Sequence, residues 1–237
     1  MIFDTIKNNG YYESESVISD DDLAKLKKFV LSKIKEYPNT NFRLYEKDFE
    51  DSIINDEIFL KKISKLIDEF INEGFKKFKD KKSNVYKVLR VVAGENQKSQ
   101  SHLYHFDAHL ITILIPILIP DNTNKKNGDL VIFPNIRKAH DFLLLNIIQK
   151  ILFQNNLMRY FLQMNFIKKI FNYKIIKIQP GRIYIFNGFS SLHGNLEIDI
   201  NSTRATLLIH SHDIFKKSKL INLNRKIAIN KEIKKIN

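Results

Sequence analysis

Three residues of this chain have the types and spacing of a metal site. His105 and Asp107 are separated by a single residue, and His193 follows much later in the sequence. Two imidazoles and one carboxylate are the ligand set that holds non-haem Fe(II) while leaving coordination positions open for a co-substrate and O2. Because alternate side chains of a strand point to one face, a short strand can present both His105 and Asp107 to one metal. A distant segment must then bring in His193.

A second pair of residues suits the binding of a carboxylate. Arg204 lies eleven positions after His193, and Thr206 follows at the next alternate position. The planar guanidinium group of arginine binds a carboxylate through two parallel hydrogen bonds, which a lysine cannot reproduce. If Ala205 faces outward, Arg204 and Thr206 share the interior face of one strand. The sequence therefore predicts an anchor for the far carboxylate of a dicarboxylic acid.

The order of these motifs resembles that of the Fe(II)- and 2-oxoglutarate-dependent dioxygenase superfamily. The resemblance extends from about residue 85 to residue 213. A His-x-Asp triplet alone is weak, since it arises by chance in many proteins, but the ordered set of elements is much more specific. That set consists of a strand over residues 85–92, the His-x-Asp motif, an apolar strand over residues 110–120, the segments 128–134 and 180–187, His193-Gly194, and the strand that carries Arg204.

The resemblance implies an activity and a role for each motif. His105, Asp107 and His193 would bind Fe(II), and Arg204 with Thr206 would bind the 5-carboxylate of 2-oxoglutarate. Enzymes of this superfamily consume 2-oxoglutarate and O2, release succinate and CO2, and usually hydroxylate an unactivated C–H bond. Halogenating relatives have a small residue in place of the carboxylate ligand, so Asp107 favours hydroxylation. A looser likeness is to the branch that contains phytanoyl-CoA and small-molecule hydroxylases.

The surrounding elements predict a mainly β fold with added helices. The resemblance implies a double-stranded β-helix, or jelly-roll, core over residues 85–215. Residues 1–84 are interpreted as a helical region packed on that core: Ser19 and the three following aspartates suit a helix start, and Tyr37-Pro38 suits its end. A second helix is predicted over residues 56–79, with Ile58 in its apolar stripe. Residues 216–237 form a basic C-terminal tail.

A long apolar segment over residues 140–173, called the insert below, interrupts the β-rich pattern. A narrow polar stripe that includes Asn146, Gln149 and Lys150 opposes its apolar residues, which predicts one long or two shorter amphipathic helices. The insert explains why 88 positions separate His105 from His193. Three interpretations stay open. The insert packs on the barrel, forms a lid or dimer contact near the active-site mouth, or lies on a membrane surface with Lys168 and Lys169 facing the headgroups.

The remaining histidines receive simpler interpretations. His102 and His109 flank the motif and are expected in loop or packing roles. On a strand, however, His109 would point to the same side as His105 and Asp107 and could line the pocket. His210 and His212 have the spacing of a second metal pair, but we expect ordinary strand histidines.

Five further residues are candidates for contacts around the site. Arg137 and His140 are candidates for the mouth, where an anionic substrate would meet them, with a surface loop as the alternative. Tyr104, Tyr184 and Asn187 are candidates for contacts to the cofactor or behind the ligands, with core packing as the default for Tyr184.

The length and composition of the chain narrow the classes of protein to which it can belong. A chain of 237 residues with 43% hydrophobic residues fits one domain with additions. Because cysteine is absent, disulfides, thiolate ligands and cysteine nucleophiles are excluded. No secretory signal is recognised, and the apolar run over residues 111–120 is too short to cross a bilayer. We therefore expect a cytoplasmic protein.

The net charge of +13 has two explanations. A basic surface attracts anionic substrates, nucleic acid or membranes, whereas abundant Lys, Asn and Ile throughout the chain indicate coding bias. No basic module rich in aromatic residues supports base stacking, so nucleic acid is not expected. The main hypothesis is an oxygenase that hydroxylates a small-molecule or metabolite-linked substrate. The alternatives are a non-catalytic jelly-roll protein that binds a metal or ligand, and an oxygenase acting on a lipid-linked substrate at a membrane surface.

Overall fold

A computed structural model describes residues 2–14, 18–38, 40–49, 53–81, 85–93, 100–121 and 126–236. Its helices are α1 (Ile2–Asn9), α2 (Asp20–Glu36), α3 (Glu57–Gly74), α4 (Leu143–Gln154), α5 (Asn156–Phe161), α6 (Asn165–Ile170) and α7 (Lys219–Ile236). Its strands are β1 (Tyr12–Ser14), β2 (Phe42–Tyr45), β3 (Tyr86–Val92), β4 (His109–Leu118), β5 (Leu130–Phe133), β6 (Lys174–Ile176), β7 (Ile183–Phe186), β8 (Leu192–Asn195) and β9 (Arg204–Asp213).

The strands form two antiparallel sheets. The larger sheet has the order β1-β7-β4-β9-β3-β2, and the smaller one has the order β6-β5-β8. Side chains of both sheets pack in one cluster, in which Leu114 and Phe186 of the larger sheet join Leu130 and Ile132 of the smaller one. The predicted mainly β fold with added helices is therefore confirmed.

Strand alternation gives the larger sheet two different faces. On β9, Ala205, Leu207 and Ile209 belong to the main hydrophobic core. The intervening Arg204 and Thr206 line a cavity on the other face. Because the period of a strand is two, one sequence supplies both a core and a polar wall. The functional residues therefore lie on the face between the two sheets, as the sequence predicts for Arg204 and Thr206.

The N-terminal helices cover the outer face of the larger sheet. Helix α2 begins where predicted, with Ser19 accepting a hydrogen bond from the Asp22 backbone N–H at 3.1 Å. Helix α3 begins after Asp56 but ends at Gly74 rather than near residue 79, and residues 76–81 form a 3-10 segment. The prediction for Ile58 was wrong: its side chain is 68% exposed, and Phe59 packs inward instead.

The N-terminal region also contributes strands, which a purely helical interpretation misses. Strand β1 pairs with β7 at one edge of the larger sheet, and β2 pairs with β3 at the other edge.

Residues 82–84, at the predicted boundary with the core, lie outside the described residues. In the basic tail, α7 is anchored by Arg225, whose Nη1 lies 2.9 Å from Asp213 Oδ2.

The insert connects the neighbouring strands β5 and β6 and contains three helices rather than one or two. Leu162 of the segment after α5 is fully buried against Val131, Phe133 and Leu192 on the outer face of the smaller sheet. Helix α4 turns its polar side toward the protein and its apolar side outward: Asn146 is buried, whereas Leu144 is exposed. Packing on the barrel is therefore observed, but it leaves apolar side chains outside. Within the described residues, no helix is long and apolar enough to traverse a bilayer.

Candidate metal centre

The connection between β3 and β4 and the strand β8 bring the three predicted ligands together. His105 and His193 face each other in an antiparallel bridge, with N–H to O distances of 2.9 and 3.1 Å. The backbone N–H of Asp107 donates to the Gly188 carbonyl at 2.9 Å. The prediction that His105 and Asp107 lie on a strand was wrong, because this connection is irregular apart from the bridge. Its paired backbone nevertheless points both side chains to the same side.

The ligand atoms of His105, Asp107 and His193 all lie within 4.8 Å of one another. His105 Nε2 is 3.6 Å from one carboxylate oxygen of Asp107, and His193 Nε2 is 3.4 Å from the other. Among the described residues, this is the group of at least three histidines and acids that is close enough to hold one metal ion. The predicted ligand set therefore converges on one point.

Backbone hydrogen bonds fix how both imidazoles face that point. His105 Nδ1 donates to the Leu103 carbonyl at 2.8 Å, and His193 Nδ1 donates to the Ser191 carbonyl at 3.0 Å. Since a carbonyl only accepts, each Nδ1 carries the proton and each Nε2 is left with a free lone pair. This is the arrangement that orients histidine as a metal ligand. The donor set therefore fits a divalent transition metal.

Electrostatics favour the protonation states that bind a cation. Burial lowers the pKa of His105 to about 3, and the neighbouring His193 acts in the same direction. Burial alone would raise the pKa of Asp107, but the imidazoles of His193, His210 and His105 outweigh it and hold this pKa below its usual range. The histidine is therefore neutral and the carboxylate ionised at neutral pH, as metal ligation requires.

Three further residues support Asp107. The Thr112 hydroxyl donates to Asp107 Oδ2, and His210 Nδ1 lies 3.6 Å from the same oxygen. Gly188 passes so close that a Cβ there would collide with both the carboxylate and the Thr112 hydroxyl. His210 is a residue of strand β9, as expected, but its position beside a ligand was not anticipated. Thr112 and Gly188 were missed, and their contacts with Asp107 depend on the tertiary structure.

A cavity of about 310 Å³ opens beside the three ligands, and Arg204 and Thr206 form part of its wall. Both side chains are almost fully buried, Arg204 at 2% exposure. Gly128 has a φ of +73°, and a Cβ at this position would lie 2.6 Å from Cδ of Arg204. A glycine is needed here both for the backbone conformation and for space. The predicted anchor therefore shares one chamber with the predicted ligands.

Arg204 is a buried cation with unused bonding capacity. Its Nε has no hydrogen-bond partner, and within the described chain no carboxylate lies within ion-pair distance of it. Burial lowers its pKa to about 10, against the weaker opposing influence of Asp129. Desolvated charges are normally paired, so a guanidinium left this way inside a cavity fits an anionic ligand. The residues present therefore fit the carboxylate of a dicarboxylic co-substrate.

The cavity has polar wall residues that the sequence analysis did not single out. Tyr86, Arg90 and Asn195 line it, and Arg90 Nη1 donates to Asn195 Oδ1 at 3.2 Å. Arg90 Nη2 also approaches the backbone and side-chain oxygens of Gln100, both at 3.3 Å. The alternation of β3 separates Tyr86 and Arg90 from the core positions Leu89 and Val91, and that pattern is the one signal in the sequence that points to these two residues.

Arg137 and His140 do not lie at the mouth of this cavity. The Arg137 guanidinium is buried between the rings of Phe106 and Phe189, 4.0 and 3.9 Å from their centroids. Phe106 stands between the two ligands of the motif and belongs to the cluster behind them. His140 Nε2 lies 3.0 Å from Gln149 Oε1 of α4. Their prediction as mouth residues is therefore corrected to a position behind the ligands, against the insert.

The other candidates occupy structural positions. Tyr104 pairs its hydroxyl with His102 Nδ1 at 2.9 Å, and Tyr184 accepts from the Gln179 backbone N–H at 3.0 Å. Asn187 Oδ1 accepts from the Ser190 backbone N–H within the turn before β8. None of these three tyrosine and asparagine side chains lines the cavity.

The packing interpretation of His109 and the strand interpretation of His212 agree with the structure. His109 stacks on His210, with ring centroids 5.2 Å apart. His212 lies outside the ligand group and lines a separate cavity next to α3. His210 and His212 are thus not a metal pair.

Comparison with solved structures identifies the same architecture in characterised enzymes. No protein-family model and no curated protein matches the sequence. The chain is similar to a prolyl-4-hydroxylase of Pseudomonas putida, with TM-score 0.57, 9% identity, and coverage of 89% of this chain and 96% of the other. A Trichoplax adhaerens prolyl hydroxylase, solved with a hypoxia inducible factor peptide, has TM-score 0.54 and 12% identity over 90% of this chain and 88% of the other.

A third similar structure comes from nogalamycin biosynthesis. The non-heme alpha ketoglutarate dependent carbocyclase SnoK has TM-score 0.53 and 10% identity, over 90% of this chain and 83% of the other. None of these three enzymes is a phytanoyl-CoA hydroxylase, so the looser likeness to that branch stays a prediction. The three likenesses span nearly all of the chain and agree with its two facing sheets. The chain has the jelly-roll fold of the Fe(II)- and 2-oxoglutarate-dependent oxygenases.

Proposed function

We propose that this protein is a non-haem Fe(II)- and 2-oxoglutarate-dependent oxygenase that hydroxylates a small-molecule or metabolite-linked substrate. A single observation carries the proposal. One cavity contains both a convergent His-Asp-His group and a buried guanidinium that has no ion-pair partner among the described residues. A structural metal site would account for the first feature alone. The second makes sense when an anionic co-substrate binds beside the metal.

Each residue has a definite task in this proposal. His105, Asp107 and His193 hold Fe(II), and their backbone hydrogen bonds keep the two imidazoles in the binding tautomer. Arg204 binds the 5-carboxylate of 2-oxoglutarate, with the Thr206 hydroxyl as a second donor. When bound, the iron and its co-substrate supply the activation of O2 for attack on a C–H bond. Phe186, edge-on to His193 at 4.8 Å, restricts water next to the metal.

The similar structures do not share one substrate. Similar structures include prolyl hydroxylases and an enzyme named as a carbocyclase, and these act on different molecules. The fold therefore does not transfer a substrate. Hydroxylation is proposed because Asp107 is present as the carboxylate ligand.

The lack of cysteine agrees with a reducing cytoplasm, which we propose as the location.

The test is the formation of succinate from 2-oxoglutarate in the presence of Fe(II), ascorbate and O2, with a library of small-molecule substrates. We expect formation by the wild type, loss in His105→Ala, and retention in His102→Ala, which changes a neighbouring histidine outside the ligand group. Absence of succinate with every compound, despite tight binding of metal and 2-oxoglutarate, would favour the alternative of a non-catalytic binding protein.

A further inference from the structure

We propose that the insert attaches this protein to the surface of an anionic membrane through the apolar side of α4 and its continuation in α5 and α6. Helix α4 exposes Leu144, Leu145, Ile148, Ile151 and Leu152. Their spacing places them on one side of the helix. Leu144 and Ile151 are 68% and 66% exposed. Contiguous apolar surface of this kind marks an interaction site rather than ordinary protein surface.

The orientation of α4 is fixed by polar contacts on its inner side. Arg137 Nη1 donates to Asn146 Oδ1 at 2.9 Å and to Gln149 Oε1 at 3.1 Å. The same guanidinium is held between two phenylalanine rings, and its Nε donates to the Phe189 carbonyl at 2.6 Å. Rolling α4 to bury its leucines would leave Arg137 buried without these partners, which is costly. The apolar side therefore stays outside.

The next two helices continue this exposure. Leu157 of α5 and Phe166 and Ile170 of α6 are exposed, whereas Met158 and Ile167 pack toward the smaller sheet. The insert thus has an inner apolar side that is covered and an outer apolar side that is not. An outer side of this composition would enter the boundary between headgroups and acyl chains.

The charge of the segment indicates which partner covers it. The insert contains four lysines and arginines and one acidic residue, Asp141, and Lys174 and Lys177 follow directly after it. Lys169 of α6 and Lys177 are exposed close in sequence to exposed apolar residues. Two copies of such a surface would bring like charges together, whereas anionic lipids complement them. With no membrane-crossing helix among the described residues, the contact is peripheral.

The test is co-sedimentation of the full chain with vesicles of phosphatidylcholine that contain phosphatidylserine. We expect the wild type to pellet, and the double variant Leu144→Asp/Ile151→Asp to bind at least about tenfold more weakly, because it would place two carboxylates in the apolar boundary. Ile58→Asp is the matched control: Ile58 is 68% exposed but lies on α3, and this variant should pellet like the wild type.

A second pair of measurements tests the charge argument. Lys168→Glu/Lys169→Glu should weaken binding to the anionic vesicles, and pure phosphatidylcholine vesicles should retain less wild type than anionic ones. The proposal is overturned if the wild type stays in the supernatant, or if the aspartate variants pellet unchanged. It is also overturned if the wild type forms a dimer without vesicles that Leu144→Asp/Ile151→Asp dissociates, since a second copy would then cover α4. Because vesicle binding is measured without turnover, these results are independent of the proposed activity.

Discussion

At the scale of single residues, Arg204 combines burial with the absence of an ion-pair partner in the described part of the chain. A desolvated cation lowers the stability of a fold unless a partner compensates it. Gly128 and strand β9 nevertheless hold its guanidinium at the cavity wall. Stability is thus given up for a preformed anion site, and a bound carboxylate should restore it. That reasoning makes Arg204 the most informative residue to change.

Arg204→Lys should weaken the binding of 2-oxoglutarate strongly, even though it preserves the charge. A lysine lacks the planar pair of donors that matches a carboxylate, and the loss of a hydrogen bond to a charged group costs about 1.5–3 kcal/mol. Calorimetric titration with Mn(II) in place of Fe(II), which prevents turnover, measures the loss. Arg182→Lys is the control, because Arg182 forms a partly exposed pair with Glu13 at 2.7 Å, away from the cavity. Equal affinities in the two variants would contradict the assignment.

Gly188→Ala should abolish tight metal binding while leaving most of the fold intact. The added Cβ would collide with the Asp107 carboxylate and the Thr112 hydroxyl, so the ligand oxygen must move. Titration with Mn(II) measures the affinity, and circular dichroism reports whether the sheets still form. A folded variant that binds Mn(II) like the wild type would show that Asp107 is not held by this close approach.

Sequence reasoning reached the residues that have distinctive chemistry and spacing, and it missed those defined by proximity. The convergence of His105, Asp107 and His193 could be anticipated because their types and order are unusual. His210 approaches Asp107 because β9 pairs with β4, opposite Thr112. A sheet register that joins residues almost a hundred positions apart has no local signal in the sequence.

At the scale of elements, α4 shows what an amphipathic pattern leaves undecided. The pattern correctly divides the helix into a polar and an apolar side, but it does not say which side meets the protein. Arg137 decides this, because its buried guanidinium requires the amide oxygens of Asn146 and Gln149. Short edge strands such as β1 are hard to predict for a different reason. A strand of three residues is too short to show an alternation of apolar and polar side chains.

Lys150 on the inner side of α4 predicts a pH dependence of stability. Burial lowers its pKa to about 8 from 10.5, and Arg137 and Arg225 act in the same direction. The unfolded chain therefore binds more protons between these values, so the stability of the wild type rises with pH in that window. Lys150→Met should stabilise the metal-free protein at pH 7, by about 3 kcal/mol at most.

The advantage of Lys150→Met should shrink from about pH 8 upward and vanish above the pKa of an unfolded lysine. Urea unfolding of the metal-free protein at several pH values measures this difference. Lys169→Met, on the exposed side of α6, is the control and should show no such window. A constant difference between wild type and Lys150→Met at all pH values would mean that the amine is solvated in the folded state.

At the scale of the whole molecule, the general architecture was predictable and the meaning of the charge was not. The order of motifs anticipated a mainly β jelly-roll core with added helices, because each motif has a fixed place in that fold. The net charge of +13 permitted both coding bias and an anionic partner. Only the structure shows that part of this charge lies in a segment whose apolar side chains are exposed.

The pairing of β5 with β6 has a consequence for how such a chain can change over time. The insert leaves the smaller sheet at Phe133 and returns at Lys174, and these strands are direct neighbours, with Ile132 opposite Lys174. Its two ends are therefore about 5 Å apart, the spacing of adjacent strands. A tight turn or an unrelated module could bridge that gap and keep the pairing of β5 with β8, the strand that carries His193. Natural selection is thus free to replace the segment between these two strands while the sheet is kept.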